Sequence, residues 1–117
     1  MPIQRDIDIY EGREFTLELV VHDDGAAIDW TGWDANLRIR DSFNSGTTWA
    51  NVTKANGISL QDGGVLKVTL PWSSFANGLT GPRAGDFDLD LIPPSGATHA
   101  EPLMVGKAFL RRRVVAT

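Results

Sequence analysis

Three aspartates at alternate positions, Asp86, Asp88 and Asp90, form the densest group of potentially reactive side chains in this chain. Carboxylates bind metal ions or exchange protons with a substrate, and alternate positions of a β-strand share one face. The outer two lie about 13 Å apart along a strand, too far for all three to bind one ion. A glycosidase pair needs a cleft and a separation of about 5–9 Å. We therefore expect a solvated row that pairs with cations on neighbouring strands. The candidate cations are Arg38, Arg40 and Lys67.

The two histidines, His22 and His99, are the other candidates for acid–base chemistry. Neither lies in a Ser-His-Asp or Glu-x-x-His pattern, in which a third group would hold the base against a nucleophile. The chain has no cysteine, which excludes thiolate zinc sites, cysteine nucleophiles and disulfides. Its glycines lie at turn positions and form no phosphate-binding motif. We predict no catalytic residue, no metal, no cofactor and no enzyme activity.

The chain contains four tryptophans, which bury large areas or form binding surfaces. Trp33 stands beside an alternating segment and is predicted to be the buried tryptophan of the core. Trp49 and Trp72 are predicted to be partly exposed, as is Trp30. Exposed aromatic rings favour a protein interface or a platform on which a sugar stacks. A purely structural role in the core remains open for each ring.

The only basic run is residues 111–113, Arg-Arg-Arg. On a strand, Arg111 and Arg113 share one face, so we predict that they belong to an interface in which their guanidinium groups meet carboxylates. The net charge is -4. An acidic chain of this kind does not favour binding to nucleic acid or to an anionic membrane, both of which attract basic surfaces.

Five segments alternate apolar and polar residues with a period of two, the pattern of strands with one buried face. They are residues 15–21, 35–40, 65–70, 87–91 and 103–115. With further short segments between turn signals, they predict an all-β, immunoglobulin-like, two-sheet antiparallel β-sandwich of 7–9 short strands. We expect at most one short helical turn, within residues 71–79. The whole chain, residues 1–117, is predicted to form a single domain.

Two glycines carry specific local predictions. Asn56-Gly57, between the predicted strands 48–53 and 58–61, is typical of a β-hairpin. Gly106, within the last alternating segment, is predicted to mark a β-bulge. At the other end of the chain, residues 1–6 include no apolar segment of the kind found in secretory signals. No run approaches the roughly 20 apolar residues that span a bilayer. We therefore expect synthesis in a cytoplasm.

Several motifs, taken in order, resemble a family of small tailed-bacteriophage β-sandwich proteins. Residues 11–15 (EGREF) resemble the family's opening turn, and residues 29–33 (DWTGW) followed by 37–40 (LRIR) resemble its next stretch. Further resemblance lies in residues 64–70, 84–91, 106–110 and 114–117, which read GVLKVTL, AGDFDLDL, GKAFL and VVAT. These motifs occur in the same order as in the family, and together they extend across almost the whole chain.

The resemblance implies a structural protein of the virion, either free-standing or as the N-terminal domain of a baseplate or receptor-binding protein. The expected role is assembly with other phage structural proteins, as an oligomer, at the tail baseplate, a fibre attachment site or the capsid surface. The expected location is the virion, after synthesis in the host cytoplasm. The alternative is a carbohydrate-binding module, for which Trp49 and Trp72 would have to be exposed and coplanar.

Overall fold

The structure, a computed structural model, describes residues 3–23, 25–41, 48–76, 79, 81–94 and 101–112. Within these residues the chain forms eleven strand segments and one 3-10 turn. The strands are Ile3–Gln4 (β1), Ile7–Tyr10 (β2), Phe15–Val20 (β3), His22–Asp23 (β4), Ala26–Ala27 (β5), Asp34–Arg40 (β6), Thr48–Thr53 (β7), Ile58–Gln61 (β8), Val65–Leu70 (β9), Arg83–Ile92 (β10) and Glu101–Arg111 (β11). The 3-10 turn, Trp72–Ser74, carries the chain from β9 to β10, as predicted for this segment.

Two sheets pack against each other. In the larger sheet, β1 and β2 both pair with β11, which is followed by β10, β6 and β7; the smaller sheet has the order β3-β9-β8. This is the arrangement of an immunoglobulin-type sandwich, with β3, β9 and β8 as strands B, E and D and with β11, β10, β6 and β7 as G, F, C and C′. The segments β4 and β5 form a separate small hairpin. The predicted all-β sandwich is therefore confirmed.

The buried core follows the alternation seen in the sequence. Every second residue of β6, namely Ala35, Leu37 and Ile39, is fully buried. The matching rows of β9 (Leu66, Val68, Leu70) and β10 (Phe87, Leu89, Leu91) complete the contact between the layers. The intervening residues face outward because successive side chains of a strand project from opposite faces.

The first strand departs from the predicted antiparallel pattern. Both β1 and β2 pair with β11 in parallel. Between them the chain kinks at Arg5 and Asp6, where the Asp6 carboxylate accepts a hydrogen bond from the backbone N–H of Lys107 at 3.2 Å. Gly106 lies under this kink, because a Cβ there would collide with the carbonyl oxygen of Arg5. The register shift of β11 lies instead opposite Leu89 and Asp90, so the bulge predicted at Gly106 is wrong.

The Asn56-Gly57 turn does not form a hairpin. The strands on either side, β7 and β8, belong to different sheets: β7 pairs with β6, and β8 pairs with β9. The turn lets Val52 and Ile58 enter the core from opposite layers. Asn56 stabilises it by accepting a hydrogen bond from the backbone N–H of Thr53 at 2.6 Å. The described residues include no helix that is long and apolar enough to cross a membrane.

Leu37 provides the test of the strand phase, because it is fully buried at the centre of β6. We expect Leu37→Asp to abolish folding. The change removes an apolar contact worth about 2–5 kcal/mol and buries an unpaired carboxylate, within a domain whose total stability is about 5–15 kcal/mol. Circular dichroism during thermal melting would measure this. The matched control is Asn51→Asp on the exposed side of β7, expected to change stability by less than about 0.5 kcal/mol. A cooperative, unshifted melt of Leu37→Asp would contradict the assigned phase.

Candidate functional site

The outward face of the larger sheet carries charged side chains that are joined in ion pairs. It is formed by the outward side chains of β2, β11, β10 and β6, which neighbouring strands place side by side. Three ion pairs join adjacent strands across this face. They are Arg40–Asp88 at 3.2 Å, Lys107–Asp86 at 2.9 Å and Arg111–Asp8 at 2.9 Å. We call this surface the charged face.

The aspartate row of β10 lies at the centre of the charged face, as the sequence predicts. Asp88 pairs with Arg40 of β6, one of the predicted partners. Asp86 pairs instead with Lys107 of β11, and it is the one charged residue that is buried among those described. The prediction that Lys67 belongs to this set is wrong. Lys67 lies on β9 in the smaller sheet, opposite Glu18, so it faces away from β10.

Asp90 differs electrostatically from the other members of the row. Partial burial raises the pKa of the Asp90 carboxyl, and the charge of Asp88 and its hydrogen bond with Asp90 raise that pKa further. Arg38 and Arg40 act in the opposite direction and offset only part of the rise. The neighbouring cations therefore do not fully stabilise the negative charge of the row. Ionisation of Asp90 lowers the stability of the folded state.

Arg111, a predicted interface residue, lies at the edge of the charged face. Its Nε and terminal nitrogen both contact Asp8 Oδ1, at 3.0 and 2.9 Å, and its guanidinium lies 5.1 Å from the centre of the Phe109 ring. Tyr10, directly opposite Arg111 in the register, leaves 49% of its surface exposed. An arginine beside two aromatic rings has the composition of an interface centre. Arg113 lies outside the described residues.

Trp49, predicted to be exposed at an interface, is buried, with 1% of its surface exposed. The pairing of β6 with β7 shifts register between Ile39 and Arg40, at the position of Trp49 on β7. A bulge of this kind changes the direction in which a side chain points. The ring occupies space that Gly85 leaves free: a Cβ there would lie 2.9 Å from two ring carbons. The indole N–H donates to Asp41 Oδ1 at 2.6 Å. Trp49 is therefore a core residue that closes one end of the sandwich.

Of the other three tryptophans, Trp30 and Trp33 differ from expectation, whereas Trp72 is partly exposed as predicted. Trp30 is buried, and Trp33, predicted to be the buried ring, is half-buried. The two form an edge-to-face pair with ring centres 6.1 Å apart. Trp33 precedes β6 and lies at the open end of the sandwich, where strands no longer cover it. Trp72 is half-buried and stacks on Phe75, with 5.1 Å between ring centres.

These placements bear on the carbohydrate-binding alternative. That function requires Trp49 and Trp72 to present coplanar exposed rings, but Trp49 is inside the core. The two-tryptophan platform is therefore not formed. A groove of about 480 Å³ does exist beside Trp33, at the end of the sandwich, but it is lined mainly by aliphatic and proline side chains: Val21, Ile28, Leu91, Pro93, Pro102 and Leu103.

The candidates for acid–base chemistry remain separate. His22 is exposed at the start of the small β4–β5 hairpin, and His99 lies outside the described residues. In the part of the chain that the structure describes, no three histidine, aspartate or glutamate side chains are placed to hold a metal ion together. The charged face is thus an array of ion pairs spread over four strands.

Two members of the charged face were not found from the sequence, Lys107 and Asp8. Each stands in an alternating strand, so its outward direction was predictable from the pattern. Their partners were not, because the parallel position of β2 beside β11 joins the first and last parts of the chain. No local pattern encodes that pairing.

Comparisons with known proteins identify no family and no function for this chain. No protein-family model matches the chain, and no curated protein matches it either. Among solved structures, it is similar to a chain of the structure described as "Structural basis of T cell specificity and activation by the bacterial superantigen toxic shock syndrome toxin-1". The identity is 14%, each chain is covered to 92%, and the TM-score is 0.46. A likeness of this size carries no functional argument.

The raised pKa of Asp90 leads to a pH-dependent prediction. A carboxyl whose pKa is higher in the folded state favours folding while protonated, and this contribution is lost as the pH rises through the folded-state pKa. We therefore expect Asp90→Asn to stabilise the protein at pH 7, by up to about 1 kcal/mol because the site is partly solvated. The gain should vanish below about pH 3.9, the ordinary aspartate pKa. Urea unfolding across this range would measure it.

The control for that measurement is Asp8→Asn, which removes the same charge from the same face. Asp8 is exposed and paired with Arg111, so its loss should leave stability unchanged or slightly lower at pH 7. A lower stability of Asp90→Asn at pH 7, or equal gains for both variants, would contradict the assigned electrostatics of Asp90.

Proposed function

We propose that this chain is a non-enzymatic structural component of a tailed-bacteriophage virion. Its role in the proposal is to assemble with other phage subunits at the tail baseplate, a fibre attachment site or the capsid surface. The protein is made in the host cytoplasm and ends in the virion. This proposal rests on the resemblance of the sequence motifs, and the positions of those motifs in the fold support it.

The motif positions are the observation that carries the proposal. The glycines of the two N-terminal motifs, Gly12 and Gly32, occupy turns with positive φ angles of 77° and 81°, a conformation that favours glycine. The GVLKVTL motif coincides with β9 of the smaller sheet, and the AGDFDLDL motif coincides with β10 of the larger sheet. The motifs on which the resemblance rests thus lie in turns and core strands, and this placement supports the proposal.

The geometry also suits an assembly function. A packed sandwich keeps its outward side chains at fixed spacings, since each strand is held by its neighbours. The charged face offers ion pairs, and the exposed Tyr10 lies beside it. Weak contacts made by such a surface become strong when many copies in one particle bind together.

The test is to look for the protein in purified particles. The phage that encodes the chain is grown, its particles are purified by density gradient, and their proteins are identified by mass spectrometry. An antibody against the chain then locates it by electron microscopy. We expect a fixed number of copies per particle and labelling at one position on the tail or head. A chain that is abundant in the lysate but absent from purified particles would overturn the proposal.

A control separates incorporation from adhesion. Particles from a phage with a nonsense mutation in the gene are mixed with the purified chain and purified again. If the chain is a built-in component, the mutant particles are altered or fail to assemble in the first place. Simple adhesion would leave mutant particles normal and would let the added chain be washed away by salt.

A further inference from the structure

The charges of the charged face are sorted by strand. In the order β2, β11, β10 and β6, the strands are acidic, basic, acidic and basic, and β7, which follows β6 in the sheet, has no charged residue. The side chains concerned are Asp8 on β2, Lys107 and Arg111 on β11, Asp86, Asp88 and Asp90 on β10, and Arg38 and Arg40 on β6. Asp34 is an exception: it is an acidic residue on the basic strand β6, and it lies at the first position of that strand. The face therefore carries four parallel stripes of alternating sign.

Four stripes of alternating sign are complementary to themselves. A twofold axis that lies in the plane of the face, parallel to the strands and between β11 and β10, brings β11 of one copy opposite β10 of the other. The same operation brings β2 opposite β6. Each acidic strand then faces a basic one. Because this axis leaves every residue at its own height along the strands, Lys107 of one copy lies directly opposite Asp86 of the other, with Asp88 diagonal to that lysine. We propose that two copies of this chain associate face to face through the charged face, about this axis.

The alternative twofold axis, perpendicular to the strands in the same plane, is disfavoured by the same charges. It would place each stripe opposite its own copy, and like charges in register repel. The stripes therefore select one orientation. This is the isologous arrangement of a symmetric dimer, in which one patch serves both subunits.

The centre of the proposed contact has the composition of an interface. Lys107 and Asp86 are directly opposite each other on β11 and β10, so the axis passes beside them and assembles two such pairs into one cluster of four charges. Phe109 is opposite Ala84 in the same register, so the ring of one copy meets a small residue of the other. Lys107 pairs with Asp86 of its own copy but keeps 61% of its side chain exposed, so its ammonium group is also accessible to the other copy.

The size of the face limits the strength of the association. Four strands, each about 4.8 Å wide and about seven residues long, give a face of roughly 19 by 23 Å, or about 440 Å² per copy. A standard stable interface buries about 800 Å² per partner. The dimer is therefore weak and concentration-dependent. Neither the axis nor the stripes depend on the proposed phage function.

The experiment measures self-association of the full chain by sedimentation equilibrium up to about 1 mM, at about 20 mM and about 0.5 M salt. We expect a reversible monomer–dimer equilibrium that weakens at least tenfold at the higher salt. We expect Lys107→Glu to weaken it at least tenfold at low salt. The matched control, Lys67→Glu, makes the same charge change on the smaller sheet and should leave the association unchanged.

A second variant covers the case in which Lys107→Glu unfolds because Asp86 loses its partner. The double change Asp8→Arg with Arg111→Asp keeps the net charge and the pair within the chain, but it makes β2 basic, so that β2 faces the basic β6 of the other copy. We expect it to melt like the wild type and to associate several-fold more weakly. The control exchange, Glu18→Lys with Lys67→Glu, should have no effect. A wild type that stays monomeric at low salt, or an equal effect of the face variants and their controls, would overturn the proposal.

Discussion

The period-two alternation of β10 is the constraint on which the rest of the structure depends. This strand lies in the middle of the larger sheet and pairs with β6 on one side and β11 on the other. Its inward residues Phe87, Leu89 and Leu91 are buried in the core, so Asp86, Asp88 and Asp90 must all face outward. A shift of one residue would bury three carboxylates, which the domain could not tolerate. The hydrophobic contact between the layers thus also fixes the acidic row.

The row in turn determines what its neighbours carry. Three carboxylates on adjacent outward positions repel one another, and the cross-strand positions are where cations relieve that repulsion. Arg40 and Lys107 occupy such positions on the two sides of β10, and both form ion pairs with it. Asp90 shows that the relief is incomplete, because partial burial and the neighbouring Asp88 raise the pKa of Asp90, and Arg38 and Arg40 offset only part of that rise. The charges of this face are therefore arranged by the sheet and do not themselves hold the sheet together.

The part of the fold that follows from local pattern was predictable from the sequence, and the part that joins distant segments was not. The buried row of β6, the crossing turn at Trp72 and the strands on both sides of Asn56 follow from alternation and turn chemistry. The sheet to which each strand belongs depends on the whole core. This is why the hairpin predicted at Asn56-Gly57 and the partners predicted for Lys67 are wrong. The predicted exposure of Trp49 is wrong for a related reason: a bulge against β6 turns its ring inward, and the alternation of residue types does not reveal a bulge.

The same distinction explains why the charged face could be anticipated only in part. Its acidic row lies on one strand and is visible in the sequence, whereas its alternation of sign requires the order β2-β11-β10-β6, which brings residues 8 and 111 together. The order in which positive and negative strands follow one another depends on which strands are neighbours in the sheet. A face of this kind is fixed before any partner arrives, since its side chains are already held by cross-strand ion pairs. Association then costs less side-chain entropy than it would for free lysines and arginines, which favours a small surface as an assembly contact.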